Sequence, residues 1–487
     1  MRLPRSYLFI LFRFGAEFVA RASTFITFPL LTTYLGTEGY GVQTQITTIN
    51  NILVPVATLG LGFSVVRVVA GNTDAAYTSA RFASTLLLSV GVSLVLAAAV
   101  ILATPLLNAL FIKVGWATTV IRWSALLIVV AAVERLLTDY YRARLRIMAY
   151  SVFQVIQTAA YVGGIVLVFR AGGGLLEVVQ AMLLVKGATV LLMALYFWRA
   201  GEIRLRTRLM PGAELIEMVQ FGIPIVVMGI STWMLSLGDR TVIGYFMSVS
   251  EVGVYGAAYT LAGLIGVLAM PFWGPLYPLM ATYKNNGDVD GLVAVCRRYT
   301  SAYLLVGIPA LFGLTILSSD LLRILGTAAF AVHPLLFGLI IVGLFSDQFA
   351  ATTHYLVYLH NEPKFLRNIT VLAGALNIGL NVVLVPALGI WGAALTTCVT
   401  YVLLDVLLFR RVAAYGYRLA SLYDLRATGK YLLSAAAMSV IVGVARSQGG
   451  AGDLPDLLAL VALGAACYGI VLFTVNGFSI RRVLAHA

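Results

Sequence analysis

Windows of about 20 apolar residues follow one another along this chain, at about 7–31, 42–66, 82–104, 116–137, 150–169, 175–198, 214–237, 253–281, 299–318, 334–358, 366–386, 389–409, 430–446 and 456–478. Each is long enough to cross the hydrocarbon of a bilayer as a helix. Composition agrees: 61% of the residues are hydrophobic and 11% are charged, and a soluble protein carries roughly twice that charged fraction. The expected fold class is an all-α polytopic membrane protein with about 14 transmembrane helices. Cys296, Cys398 and Cys467 are widely separated, so no disulfide framework or metal spacing emerges. The N-terminus is not expected to be a cleavable signal peptide, because Arg13, Glu17 and Arg21 interrupt its apolar run.

The net charge of +13 is explained by orientation. Cytoplasmic loops of membrane proteins are enriched in Lys and Arg. With both termini in the cytoplasm, most of the 33 basic residues fall in cytoplasmic loops. Arg13, Arg21, Arg122 and Lys186 lie within spans instead. Nucleic acid is therefore not an expected partner. The longest loops, about 199–213 and 410–429, are basic and suit the anionic inner leaflet. No extramembrane domain is expected. Outer loops this short, with no nucleophile–base pair or metal cluster, argue against an enzyme.

The chain also repeats itself. Tyr34-Leu35-Gly36 through Gly41-Val42-Gln43 resembles Phe246-Met247-Ser248 through Gly253-Val254-Tyr255, at an offset of 212 residues. Six helices separate the copies, so the halves run parallel, an arrangement used by transporters with a site between the repeats. The expected domains are an N-terminal six-helix lobe at 1–210, a C-terminal six-helix lobe at 211–428 and an additional helix pair at 429–487.

The run Pro29-Leu30-Leu31-Thr32-Thr33-Tyr34-Leu35-Gly36-Thr37-Glu38-Gly39-Tyr40-Gly41 resembles the opening motif of the polysaccharide-transport family, the oligosaccharide flippases of O-antigen and exopolysaccharide pathways. Phe221-Gly222-Ile223-Pro224, Asp239 through Tyr245, Val252 through Tyr259, Asn377 through Pro386 and Gly389 through Ala394 match further family motifs. The resemblance implies the fold of the MATE-like exporter superfamily, two six-helix bundles forming a V. It also implies movement of a polyprenyl-pyrophosphate-linked oligosaccharide from the inner to the outer leaflet of the cell membrane. A polysaccharide polymerase and chain-length machinery are candidate partners, beside membrane lipids.

Ionisable residues inside a membrane cost about 2.5–3.5 kcal/mol each on insertion scales, so they have a job or a partner. Arg13, Glu17 and Arg21 sit four apart on one face of the first window, opposite Leu11, Phe14 and Phe18. Guanidinium suits a pyrophosphate, being always charged and able to bind its oxygens in a fork. Arg13, Glu17, Arg21, Arg122 and Lys186 are the candidate headgroup residues; the plainer alternative is that Glu17 neutralises its neighbours and Arg122 snorkels outward. Gln43, Thr47, Asn50 and Asn51 form a polar stripe suited to sugar hydroxyls, or to interhelical hydrogen bonds. Asp239 and Arg240 are candidate gate residues, and Pro224 and Pro271 candidate hinges. Asp347 and His354, seven apart on one face, are candidates for H+ or Na+ coupling, with no other cofactor expected. Two other functions share this chemistry or architecture: a peptidoglycan lipid-precursor flippase and a MATE-type drug/cation antiporter. The antiporter calls for an acidic pocket, whereas the residues singled out in the N-terminal lobe are mainly basic.

Overall fold

The computed structural model describes residues 15–17, 19–20, 22–201, 209–449 and 452–475. Among the described residues the chain is helical, with short turns and no strand. In order the helices are α1 (Thr24–Ala57), α2 (Leu61–Val69), α3 (Ala75–Leu107, extended by a π turn Asn108–Ile112), α4 (Ala117–Ala143), α5 (Ile147–Arg170), α6 (Leu175–Arg199) and α7 (Gly212–Ser236). There follow α8 (Gly238–Phe246), α9 (Val249–Ala262), α10 (Leu264–Asn285), α11 (Val289–Leu325), α12 (Pro334–Phe349) and α13 (Ala351–Leu359). The last are α14 (Pro363–Leu388), α15 (Ile390–Ala414), α16 (Leu419–Leu422), α17 (Leu425–Gly449) and α18 (Leu454–Val475). Eleven segments are long and apolar enough to cross a membrane, or up to 12 with the bent pair α1 and α2. The protein is therefore an all-α, multi-pass membrane protein. Of the two remaining windows, 7–31 lies partly outside the described residues. The other, α4, is not among the eleven segments; it carries Arg122, Glu134, Arg135, Asp139 and Arg142.

Two boundaries differ from the windows for local reasons. Residues 32–41, expected between spans, continue α1 with a kink at Gly36 (φ 65°, ψ −174°), a conformation open to glycine because it lacks a Cβ. The window 42–66 is instead broken. Leu59 (φ 50°) and Gly60 (φ 67°) turn the chain, and α2 leaves at 46° to α1. Pro55, one turn earlier, removes the amide donor that would bond the Asn51 carbonyl.

The chain forms two compact units, Met1–Trp233 with Arg240–Gly253, and Met234–Asp239 with Val254–Ala487. In the first, α4 is central: α1, α2, α3, α5 and α6 all pack on it. Lipid is as apolar as leucine, so close packing and polar contacts hold such helices together. Tyr140, Tyr141 and Phe197 are fully buried between α4 and α6, and Val42, Ile46, Val100 and Ile128 fill the space among α1, α3 and α4. The two copies of the repeat also meet here. A Cβ on Gly41 would lie 1.9 Å from the Val249 carbonyl oxygen, and one on Gly253 would lie 2.1 Å from that of Thr37. Under the 212-residue offset Gly41 matches Gly253 and Thr37 matches Val249, so the contact is reciprocal. Only glycine allows it.

In the second unit α11 packs on α10, α12 and α17, while α15 packs on α12 and α14. Trp273, Leu276, Tyr303, Leu356, Leu404 and Leu422 belong to its core. The last helix pair is tied to α11 by Tyr468, whose hydroxyl donates to the Leu305 carbonyl at 2.9 Å, and by the Arg446–Asp320 ion pair.

Candidate functional site

The polar stripe of α1 lines a cavity in the first unit. Gln43, Thr47, Asn50, Asn51 and Val54 form one wall of a space of about 160 Å³, and Lys186 of α6 stands on another. A second cavity of about 260 Å³ shares Val54 and Ala131 with the first. Its lining adds Glu134, Arg135, Thr138 and Arg142 from α4, and Tyr150, Gln154 and Gln157 from α5. The two adjoin at Val54 and Ala131 as one trough, in which the polar side chains alternate with apolar ones such as Ile46, Leu127, Val179 and Met182. On the opposite face of α1 a third cavity, of about 320 Å³, is apolar, lined by residues such as Ile49, Ile52, Leu53 and Trp233. One helix thus separates a polar space from a greasy one, as its alternating stripes require.

At the junction of the two polar cavities Lys186 Nζ meets Glu134 Oε2 at 2.6 Å. Gln157 Nε2 donates to the other carboxylate oxygen of Glu134 at 2.8 Å. The lysine and glutamate side chains are 22% and 19% exposed, so the pair is neither sealed in protein nor free in water. Further along α4, Asp139 accepts from Arg142 at 3.3 Å and pairs with Arg135 at 3.4 Å, one carboxylate shared by two guanidiniums. It has room because α2 presents Gly62 there; a Cβ on Gly62 would lie 1.9 Å from the Asp139 carboxylate. Two polar atoms of the lining are buried without a hydrogen-bond partner: the Arg142 Nε donor and the Gln43 Oε1 acceptor. A buried polar atom left unbonded costs on the order of 1–3 kcal/mol.

The sequence-based candidates distribute unevenly over this geometry. Gln43, Thr47, Asn50, Asn51 and Lys186 come together. Arg122 is exposed and lines neither polar cavity. Arg13 and Arg21 lie outside the described residues, while Glu17 accepts from Gln154 Nε2 at 3.5 Å, beside the trough. Sequence reasoning passed over Glu134, Gln154 and Gln157. The signal was present for Glu134, a carboxylate inside the window 116–137, but its partner is 52 residues away and no short-range spacing links them. Arg142 falls beyond the window 116–137 because the helix continues to Ala143, whereas Arg135 lies inside that window.

The remaining candidates lie apart from the trough. The boundary between the units falls between Asp239 and Arg240. Asp239 is 1% exposed and accepts from Tyr255 at 2.7 Å and from Thr397 at 3.5 Å. The carbonyl of Arg240 accepts from Gln45 at 2.9 Å. Asp347 accepts from Gln348 at 2.9 Å, while the His354 ring meets the Ala350 carbonyl at 3.2 Å, so no hydrogen bond joins the acid to the histidine. Nearby, Asp405 is 3% exposed, bonded by Ser346 through one oxygen and unpartnered at the other. Pro224 lies within α7 and Pro271 within α10, and both helices continue through them. Asn377 and Asn381 are fully buried in a ladder: Asn381 Nδ2 donates to Asn377 Oδ1 at 2.9 Å and Asn377 Nδ2 to Thr400 at 3.0 Å. No group of three metal-ligating side chains occurs among the described residues.

Comparison with known proteins agrees with this architecture. The chain is 26% identical over 248 residues to "Probable flippase AglR" of Haloferax volcanii, covering 50% of this chain and 51% of that protein. It is 22% identical over 287 residues to "Probable low-salt glycan biosynthesis flippase Agl15" of the same organism, covering 58% and 59%. The matches thus span little more than half the length of these curated relatives. Among solved structures, the lipid II flippase MurJ in an inward closed conformation superposes with a TM-score of 0.74 at 14% identity, over 96% of this chain and 98% of that one, and shares the fold. The family model described as "Polysaccharide biosynthesis protein" matches residues 10–284, more than half of the 487. The chain belongs to that family.

Proposed function

We propose that this protein carries a polyprenyl-pyrophosphate-linked oligosaccharide from the inner to the outer leaflet of the cytoplasmic membrane by alternating access, in support of cell-surface polysaccharide synthesis. The observation that carries the reading is the trough. Its lining holds three cations, Arg135, Arg142 and Lys186, with Glu134 against the lysine and Asp139 shared by the two arginines, so one positive charge is in excess, beside amides and hydroxyls of α1 and α5. Guanidinium and ammonium groups suit phosphate oxygens. Amides, which donate and accept together, suit sugar hydroxyls. Arg13 and Arg21 are assigned to the same headgroup on their sequence pattern, with Glu17 between them. A cationic drug calls for the opposite lining, and this favours the glycan flippase over the antiporter. The peptidoglycan precursor shares the pyrophosphate and differs in its sugars.

In this reading the lobes 1–210 and 211–428 alternate access and the segment 429–487 accompanies them, with both termini in the cytoplasm. Asp239 and Arg240 serve the gate. H+ or Na+ coupling is assigned to Asp347. Two negative charges moving outward, down an inside-negative potential of ~100 mV, gain up to ~4.6 kcal/mol, from ~2.3 per charge, less whatever cations move with them. A glycan polymerase and chain-length machinery would receive the product.

Reconstitution into vesicles with a lipid-linked oligosaccharide tests the reading. Wild-type protein is expected to translocate it in response to an imposed potential or ion gradient, and Arg21→Ala to be impaired. Uptake of a cationic dye without glycan translocation would refute the proposal.

A further inference from the structure

The two ends of the trough differ in what they leave unsatisfied. The larger cavity carries Arg135 and Arg142, and Asp139, 4% exposed, lies against both. It engages Nη1 of Arg142 at 3.3 Å and Nε of Arg135 at 3.4 Å. One guanidinium would neutralise it, so the second is surplus. The bond through Nη1 leaves Arg142 the edge that carries Nε and Nη2, and its Nε is buried without a partner. That edge is the fork that takes two oxygens of one phosphate. In the smaller cavity the one cation of the described lining, Lys186, is already paired with Glu134. Its buried atom without a partner is an acceptor, Gln43 Oε1. An unbonded acceptor suits a hydroxyl proton, not a phosphate oxygen.

We infer that Arg135 and Arg142 form the phosphate subsite of the trough, with Asp139 as its positioning residue, and that the bound lipid lies with its phosphates there and its sugars toward Gln43, Thr47 and Asn50. This rests on the reading of the trough as an anion site. Asp139 acts on the substrate through the arginines. Long guanidinium side chains lose rotamer freedom when they grip an anion, and a carboxylate that already holds them removes part of that cost. Packing fixes the carboxylate in turn. A Cβ on Gly62 would lie 1.9 Å from Asp139 Oδ2, so α2, beyond the break at Leu59 and Gly60, stands against it with no room for a methyl group. Lys186 and Glu134, bonded at 2.6 Å at the junction, mark the passage from one subsite to the other. The single positive charge in excess in the described lining therefore lies at the arginine end. Gln154 of the same cavity meets Glu17 at 3.5 Å, and the sequence from Arg13 to Arg21 brings two arginines for that one carboxylate.

The test uses full-length protein in nanodiscs and two ligands, a dialkyl pyrophosphate diester without sugars and a polyprenyl-pyrophosphate-linked oligosaccharide. Arg142→Lys keeps the positive charge and loses the fork, and is expected to weaken the diester roughly tenfold. Asp139→Asn separates positioning from charge. It makes the trough more positive, so removal of a mere counter-ion would strengthen anion binding, whereas loss of the positioning residue is expected to weaken the diester. Gln43→Leu is expected to weaken the oligosaccharide roughly 2- to 10-fold more than the diester. Phenylglyoxal, which modifies guanidinium groups, gives a readout that needs no variant: bound diester is expected to shield Arg135 and Arg142 of the wild type. Stronger diester binding by Asp139→Asn would overturn the positioning role. Bound diester that leaves both arginines unshielded, or that Gln43→Leu weakens and Arg142→Lys does not, would overturn the subsite and leave the anion reading standing. No binding of either ligand by the wild type would overturn both.

Discussion

The trough of the first unit and the amide ladder of the second use similar residues to opposite effect. In the ladder, Asn377 and Asn381 are wholly buried and bonded to each other and to Thr400. In the trough, Gln43, Asn50 and Lys186 line open space, and the central ion pair is about one-fifth exposed. Exposure is the difference that matters. A buried amide that leaves its partner finds no water, so the ladder resists change. A partly hydrated ion pair can exchange its partner at modest cost. The ladder is suited to fixing α14 against α15, and the trough to receiving and releasing a polar ligand.

Substitutions can break this contrast. The largest effect is expected at Lys186. Lys186→Ala removes a charge-assisted contact of about 1.5–3 kcal/mol to the headgroup, and translocation per folded molecule should fall roughly 10- to 100-fold. Normal translocation by that variant in reconstituted vesicles would place the headgroup elsewhere. Asn377→Ala should act on stability, lowering it by about 0.6–1.7 kcal/mol, the range for polar contacts between membrane helices. Thermal unfolding in detergent reads this directly. Its affinity for the pyrophosphate diester should match the wild type, and a weakened affinity would join the ladder to the trough.

The smallest expected effect lies outside the spans. Glu362, which precedes α14, accepts from Arg411 Nε at 2.7 Å and from Tyr415 at 2.8 Å. The hydrogen bonds from Arg411, then from Tyr415, hold its carboxyl below the ordinary value of 4.5. A depressed carboxyl stabilises the fold at pH above that ordinary value, and the contribution is lost as pH falls through the folded value. Wild type should therefore lose a small increment of thermal stability on acidification below about pH 4.5 that Glu362→Gln does not lose. Identical acid profiles would show that this exposed cluster contributes nothing.

What the sequence disclosed follows from the range of the interactions involved. Apolar windows and the stripe Gln43–Thr47–Asn50–Asn51 are periodic within one helix, so they are legible without knowing any neighbour. Lys186 stood out because an ammonium in an apolar window is costly. Glu134 is equally anomalous, yet its meaning depends on α6 packing against α4, which no local pattern encodes. The same holds for Asp139, whose two arginines flank it in sequence but whose place against Gly62 comes from the packing of α2. Kinks divided in the same way. The Gly36 bend lies within a continuing helix, and only the backbone geometry distinguishes it from the 46° break at Leu59 and Gly60. The repeat motif gave the correspondence of Gly41 with Gly253, and the fold adds that the two meet.

The central claim is that the headgroup occupies the polar trough of the first unit, and cross-linking locates it most directly. A lipid-linked oligosaccharide carrying a photoreactive group on the sugar nearest the pyrophosphate, illuminated with full-length protein in nanodiscs, should label peptides of α1 around Asn50 and Asn51 and of α6 around Lys186. Excess unlabelled dialkyl pyrophosphate diester should suppress that labelling. Adducts confined to α14 and α15, with none on α1 or α6, would contradict the account.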